Sequence, residues 1–428
     1  MPFKKPHLSC GLSELDYSDR KLIQNDIAYD YQCELLPRNT IIANNPLVFQ
    51  IEPGNDFVDL GQTVLKMTLS ITDSAGEDLA DDQVAGPINN FANSLFSQVS
   101  VSLKNNVISH PNPNYAYKSY FDNLLNYSVD AKESWLTYEG FYMDEATKFD
   151  KNSNAGLLAR KELFADGRKC EVATRLHCDI NFQRNLIPSN LDITYVLTPS
   201  RQEFVMQNFS TTKKYNINID DAKLVVRKIK LSPERVLSFE RDIAKEEIRI
   251  PISYVKLNTY TLSTGIKSFE KNGLFTGALP ELCVFGLVDN SAYTGSFTSN
   301  PFNFKNFDLS QAQFVINGRA CPTQPLKLDF ETKNVYDGYS SLFKALGKSF
   351  HDSSNGLSVE DYCEGTALYA LNLNSNTRCP HDDIVSKGTI DINLKFDTGL
   401  PNPVTLIVYS QIETAVLIDK YRNVVLES

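Results

Sequence analysis

Apolar and polar residues alternate in short runs along most of the chain. SQVSVSLKNNVISHP (97–111) alternates small and apolar residues, turns at Asn-Asn and stops at a proline. A period of two marks a half-buried strand, and an Asn-rich turn between two such runs predicts a hairpin. SQAQFVINGRACP (310–322) repeats the phrase at an offset of 213. The neighbours repeat as well. LKMTLSITDSAG (65–76) faces LCVFGLVDNSA (282–292), each an apolar strand closed by an acidic turn, with Asp73 and Asp289 paired at an offset of 216. NNFANSLFSQ (89–98) faces NPFNFKNFDLSQ (300–311). YAYKSYFDNLL (115–125) faces VYDGYSSLFKAL (335–346), and its YxxY spacing predicts a short helix with these rings on one side. A last pair sets CDINFQRNLIPSNLDITYVL (178–197) against IDINLKFDTGLPNPVTLIVYS (390–410), with Asp179-Ile180-Asn181 on Asp391-Ile392-Asn393 and Pro188 on Pro401. Self-similarity at a fixed period is the mark of duplicated units, here two large ones.

This arithmetic sets expected boundaries: an N-terminal arm over 1–37, a first copy over 38–231, a helical connector over 232–250 and a second copy over 251–428. The connector SPERVLSFERDIAKEE carries an N-cap at Ser232, a proline at the first helical position and an apolar stripe of Val236, Phe239 and Ile243. The stretch 201–216 has no counterpart in the second copy and is expected as a loop. Each copy holds about eight strand-like segments without strand–helix alternation. The expected fold is therefore all-β: two tandem eight-stranded antiparallel jelly rolls, with short helices in the loops and a connecting helix. The long loops 128–176 and 346–389 are expected as functional surfaces.

Composition agrees. At 428 residues the chain suits two domains, and 25 Phe and 20 Tyr against 4 Met favour strands. A formal net charge of −10 argues against a face that grips nucleic acid. MPFKKPHLSC lacks an apolar run, so no signal peptide is expected, and no apolar run approaches 18 residues, so no membrane span is expected. The eight cysteines are scattered without a CxxC, which fits reduced thiols in an intracellular compartment. On that reading the sequons at Asn126 and Asn208 are chance matches.

Candidate chemistry is thin. Gly347-Lys348-Ser349 lacks the upstream glycine of a phosphate loop, whose place is taken by Leu342. The histidines His7, His110, His177, His351 and His381 form no HxH, HxxxH or HExxH. Cys379, His381, Asp382 and Asp383 could ligate a metal but have no second ligand pair and read as a polar loop. His177 and Cys178, read as strand neighbours, point to opposite faces. EDLADD (77–82) and Asp220-Asp221 read as solvated turns; calcium at the first would lack EF-hand spacing. No GxSxG exists. The aromatic phrases FANSLF, YAYKSYF and NPFNFKNF alternate with polar residues and read as core, with a surplus available for a subunit interface. No catalytic, cofactor-binding or metal residue is assigned, and no cofactor is expected.

Taken together, NNFANSLFSQVSVSLKNN, YAYKSYFDNLLNYS, LVVRKIKLSP, LVDNSAYTGSFTSNPFNFKNFDL, DYCEGTALYALNL and IDKYRNVV resemble the double-jelly-roll major capsid proteins of Polinton (Maverick) elements and of related adintoviruses and virophages, over roughly 38–425. The resemblance implies a structural protein, not an enzyme. It implies a homotrimer whose six barrels make a pseudo-hexameric capsomer, and a lattice of such capsomers in an icosahedral virion shell. Penton and minor capsid proteins would be further partners. Packaged double-stranded DNA would be touched only indirectly, and assembly would take place inside the host cell. Three other readings stay open: a two-domain jelly-roll enzyme of the glycan-amidase or copper-monooxygenase kind, a carbohydrate-binding β-protein, and a capsid gene kept by a host genome for another task.

Overall fold

The strands form where the alternation lies. In the computed structural model, which describes residues 26–80, 83–109, 113–210, 213–372 and 387–427, the first half carries β1 (Ile27–Leu35), β2 (Leu47–Ile51), β3 (Phe57–Asp73), β4 (Ala85–Pro87), β5 (Phe96–Leu103), β6 (Asn106–Val107), β7 (Cys170–Arg175), β8 (Ile193–Pro199), β9 (Met206–Asn208) and β10 (Tyr215–Leu231). The second half carries β11 (Ile248–Leu262), β12 (Ser268–Ala278), β13 (Leu282–Asp289), β14 (Leu309–Ile316), β15 (Arg319–Lys327), β16 (Leu368–Asn372), β17 (Lys387–Phe396), β18 (Val404–Ile418) and β19 (Val424–Leu426).

The first half folds into two four-stranded sheets, β1-β10-β3-β7 and β2-β8-β5-β6, plus a small ribbon of β4 and β9. The second folds into β11-β18-β13-β16 and β12-β17-β14-β15, with β19 added to β18. With the ribbon and β19 set aside, each half has eight strands among the described residues, and their order is 1-8-3-6 in one sheet and 2-7-4-5 in the other. Every ladder is antiparallel. This is jelly-roll wiring, written twice. The hairpin that opens the comparison is β5–β6 in one copy and β14–β15 in the other, and its second turn has Asn317 and Gly318 at φ 49° and 78°, as a two-residue hairpin turn requires.

Between β6 and β7 lies the helix Tyr115–Asn126, and between β15 and β16 the helix Tyr336–Ala345. The connector is the helix Pro233–Lys245. The Ser232 side chain accepts from the Arg235 N–H, Ile243 is buried, and the Phe239 ring meets Phe57 edge-on at 5.0 Å.

Four expectations change. Ile27–Leu35, inside the expected arm, is an edge strand paired with Leu224–Leu231. Both of its faces are largely exposed, so it carries little hydrophobic signal. The second copy's first strand begins at Ile248 rather than near Pro251. The stretch 201–216 is not a plain loop, since it forms the short helix Gln202–Val205 and β9. The last repeat pair is misaligned. Asp179-Ile180-Asn181 sits in a 3-10 turn before β8, whereas Asp391-Ile392-Asn393 lies within β17. Residues 1–25, His110, Asp81, Asp82 and the Cys379–Asp383 group lie outside the described residues.

Candidate functional site: the seam between the two jelly rolls

The helix Tyr115–Asn126 belongs to the first jelly roll but packs on the second. Ten of its twelve residues are buried. A helix apolar on one stripe would bury one side; this one carries rings at Tyr117, Tyr120 and Phe121 on one side and Asp122 on another and buries them all, with Lys118 partly buried beside Asp122. Tyr120 stacks face to face on Phe302 with centroids 4.0 Å apart and an interplanar angle of 1°. Tyr117 meets Phe302 and Phe304 edge-on, and Phe121 meets Tyr409 the same way. The phrases YAYKSYF and NPFNFKNF are therefore core, as their alternation predicts, and that core joins the two halves.

A polar lock lies beside the rings. Lys118 Nζ is 2.9 Å from Asp179 Oδ1 and 3.7 Å from Asp122 Oδ2. Asp122 also takes His177 Nδ1 at 2.9 Å, and from across the seam it accepts the Tyr409 hydroxyl at 2.9 Å. Asp179 accepts the Val255 N–H, again from across the seam, at 3.2 Å. Burial alone would lower Lys118, but Asp179 and Asp122 outweigh it and hold the ammonium above its usual range. Burial would raise Asp122; Lys118, His177 and Tyr409 outweigh it and keep the carboxylate below its usual range. Asp179 is raised, by burial first and by the neighbouring Asp122 charge in addition. One lysine cannot satisfy two buried carboxylates equally, so their affinities for the proton part.

A second link runs through Arg160, which is fully buried. Its guanidinium donates to Pro87 O, Tyr142 O and Asp144 Oδ1 at 2.8–2.9 Å. Asp144 Oδ2 accepts from Asn300 of the second half at 3.0 Å. A third is Lys132, whose ammonium donates to Leu124 O at 2.7 Å and to Asn355 O of the second half at 2.5 Å. Burial pushes Lys132 down to about 7, with Lys348 adding to the fall.

The sequence candidates fall apart chemically. Lys348 of the Gly-Lys-Ser stretch donates to Asn126 O at 2.7 Å. His177 and Cys178 lie in a connection rather than a strand, and burial pushes the Cys178 thiol up to about 12, away from a nucleophilic thiolate. Glu77 and Asp220 pair with Lys213 and Lys169. His351 is exposed. The six cysteines among the described residues are all free, and no group of three or more metal-ligating side chains is gathered among those residues. No helix among them is long and apolar enough to cross a membrane. Sequence reasoning missed the lock, Arg160 and Lys132. The local signal was a Lys–Asp pair at i, i+4 inside an otherwise aromatic helix.

No protein-family model matches the chain. It is 25% identical over 407 residues to the uncharacterized protein F54H12.2 of Caenorhabditis elegans, covering 91% of this chain and 95% of that protein. Among solved structures it is similar to the Sputnik virophage cryo-EM structure (TM-score 0.63, 12% identity, 100% of this chain and 92% of that one). It is similar to the PBCV-1 virus capsid (TM-score 0.59, 10% identity, 96% and 99%) and to the mavirus major capsid protein (TM-score 0.55, 9% identity, 100% and 95%). These likenesses run the length of both chains and are likenesses of fold. The chain is a double jelly roll of the architecture found in virophage and large-virus capsid structures.

Proposed function

We propose that the chain is a major capsid protein, the structural subunit of an icosahedral shell around double-stranded DNA. The observation that carries this is the repeated wiring. Two barrels of one topology, 27–231 and 248–427, are fixed side by side by a buried aromatic and polar seam. Two like wedges per chain let a threefold object fill a sixfold site, so the working unit is read as a homotrimeric, pseudo-hexameric capsomer. Its further partners are copies of itself in a lattice and penton or minor capsid proteins at the vertices; DNA is enclosed rather than gripped. The site of action is the virion. The nematode relative favours a genome-resident element of the Polinton kind, including a gene kept by its host.

The test is the mass of the purified chain by light scattering, followed by negative-stain imaging. A species of about 144 kDa, three times 48.1 kDa, with a hexagonal outline is the expected result. A monomer at every concentration, salt and pH sinks the tile.

A further inference from the structure

The polar lock brings an amine and a carboxyl group into contact where little water reaches them. Lys118 Nζ lies 2.9 Å from Asp179 Oδ1, and the two side chains are 11% and 7% exposed. Lys148, Lys169, Lys213, Lys223 and Lys305 also pair with carboxylates, but each keeps 36% or more of its side chain exposed. Val99, Tyr115, Val255 and Leu257 close one side of the Lys118–Asp179 pair down to about 30 Å³. On its other side a cavity of about 380 Å³ lies between the two jelly rolls, lined by Tyr127, Phe182, Ile252 and Tyr409 among others. That cavity has room for a released water.

A second carboxylate stands beside the pair. Asp122 Oδ2 is 3.7 Å from Lys118 Nζ, and hydrogen bonds of 2.9 Å from His177 and Tyr409 fix its orientation. The two carboxyl groups are tuned in opposite directions. Burial raises Asp179; at Asp122 burial is outweighed by Lys118, His177 and Tyr409, and the group is lowered. Carboxyl groups parted in this way suit different roles, one as the acid that loses its hydroxyl and one as the base that carries a proton. Burial lowers Lys118 but the two aspartates outweigh it, so the resting group is an ammonium and not a nucleophile. One proton passed to Asp179 turns the ion pair into an amine facing a carboxylic acid, and burial disfavours a neutral pair less than two charges. A bond that forms once per chain needs that form only rarely, because the partners are already held in contact.

We propose that Lys118 and Asp179 join in an intramolecular isopeptide bond, with Asp122 as the proton relay. The Nζ–Cγ bond forms and the Cγ–Oδ1 bond breaks. Asp122 takes a proton from the attacking nitrogen and hands it to the leaving oxygen, ending as it began. Oδ1 departs as water with two of the three ammonium hydrogens, and the charges of the pair cancel, so no oxidant or co-reactant is consumed. The third hydrogen stays on the amide nitrogen, and His177 O, which accepts from Nζ at 2.5 Å, is placed to accept it. Oδ2 remains as the amide oxygen and keeps the Val255 N–H, 3.2 Å away across the seam. The bond ties the helix Tyr115–Asn126 to the turn before β8, the two parts of the first jelly roll that reach Tyr409 and Val255 of the second. The contacts given above are those of the chain before the bond forms. The proposal holds or fails independently of the capsid reading.

The test is the intact mass of the full-length chain under denaturing conditions, set against Lys118→Arg, which keeps the cation but does not form this amide. After allowance for the Lys-to-Arg difference, the native chain is expected to be lighter by one water. Its digest is expected to yield a branched peptide joining Lys118 to Asp179. Asp122→Asn is expected to form the bond at least about a hundredfold more slowly, read as the fraction of chain at each mass in the hours after synthesis, with its folding checked by near-UV circular dichroism. If that variant does not fold, the native chain and Lys118→Arg still decide the bond. A folded native chain at the mass of its sequence overturns the proposal, as does a water loss that maps elsewhere, such as a succinimide at another aspartate. Asp122→Asn linking at the native rate overturns the relay.

Discussion

The strands β3 and β13 hold the same place in the two wirings, yet they are buried differently. Along β3 the core takes Leu65, Met67, Leu69 and Ile71, while Lys66, Thr68, Ser70 and Thr72 look outward. Along β13 every residue from Cys283 to Val288 is buried, and its neighbour β18 is buried without a break from Val404 to Ser410. An antiparallel sheet with one wet face alternates; a strand covered on both faces reads as a continuous apolar run. The cover on the second sheet is the first jelly roll's helix Tyr115–Asn126 together with the loop bearing Phe302 and Phe304. Gly286 records the crowding: a Cβ there would lie 2.5 Å from the Phe304 ring and 2.7 Å from Leu368. Two sheets of one wiring thus differ in pattern because one is an interior wall and the other a surface.

The largest test of that contrast removes the cover. Phe302→Ala is expected to cost about 3–5 kcal/mol, the range for deleting a buried aromatic ring. Lys66→Ala, on the outer face of β3, is expected to stay within about 0.5 kcal/mol. Urea midpoints for both variants decide it, and similar costs at the two sites would break the comparison. Tyr409→Phe is next. It deletes a hydroxyl that crosses the seam to a buried carboxylate, and hydrogen bonds to charged groups are worth about 1.5–3 kcal/mol. Asp122 keeps Lys118 and His177, which holds the cost to the lower part of that range. Gly286→Ala is expected to cost about 1–3 kcal/mol through overpacking against Phe304 and Leu368, read as a lowered melting temperature; an unchanged one would mean that the wall is looser than its burial indicates.

Much of this was legible beforehand. The alternation in 97–111 and 310–322, the paired acidic turns at Asp73 and Asp289, and the cap at Ser232 are local signals, and each marks an element that formed. The last repeat pair misled because a three-residue match and a proline are cheap coincidences. The helices begin at 115 and 336, an offset of 221, but the next strands begin at 170 and 368, an offset of 198. The first jelly roll carries the longer insertion between helix and strand, so a constant offset could not hold beyond it. The edge strand β1 was missed because it has almost no buried side. The lock was out of reach for a different reason. Its decisive contacts, Asp122 to Tyr409 and Asp179 to Val255, join residues far apart in the chain, and no periodicity encodes such pairs.

The last test of the comparison turns on two lysines near opposite ends of one helix. Lys118 sits between two carboxylates and is held charged. Lys132, near the helix C-terminus, meets two carbonyl oxygens and the face of the Phe141 ring but pairs with no carboxylate among the described residues, and burial pushes it down to about 7. Carbonyls at a helix end favour a cation, but less than a full countercharge would. The sign follows from proton counting. The unfolded chain protonates this lysine below about 10.4, the folded chain only below about 7. Between those values the unfolded state holds more protons, so the contribution of Lys132 to stability rises with pH; below about 7 it is flat. Comparing native chain with Lys132→Met by urea melts at pH 7, 8 and 9 isolates the effect. The difference is expected to shift toward the native chain as pH rises, by at most about 1.4 kcal/mol per pH unit. Parallel pH profiles would mean that the ammonium stays charged in the fold. The carbonyls of Leu124 and Asn355 would then stabilise it as well as two aspartates stabilise Lys118, and the difference between the two ends of the helix would vanish.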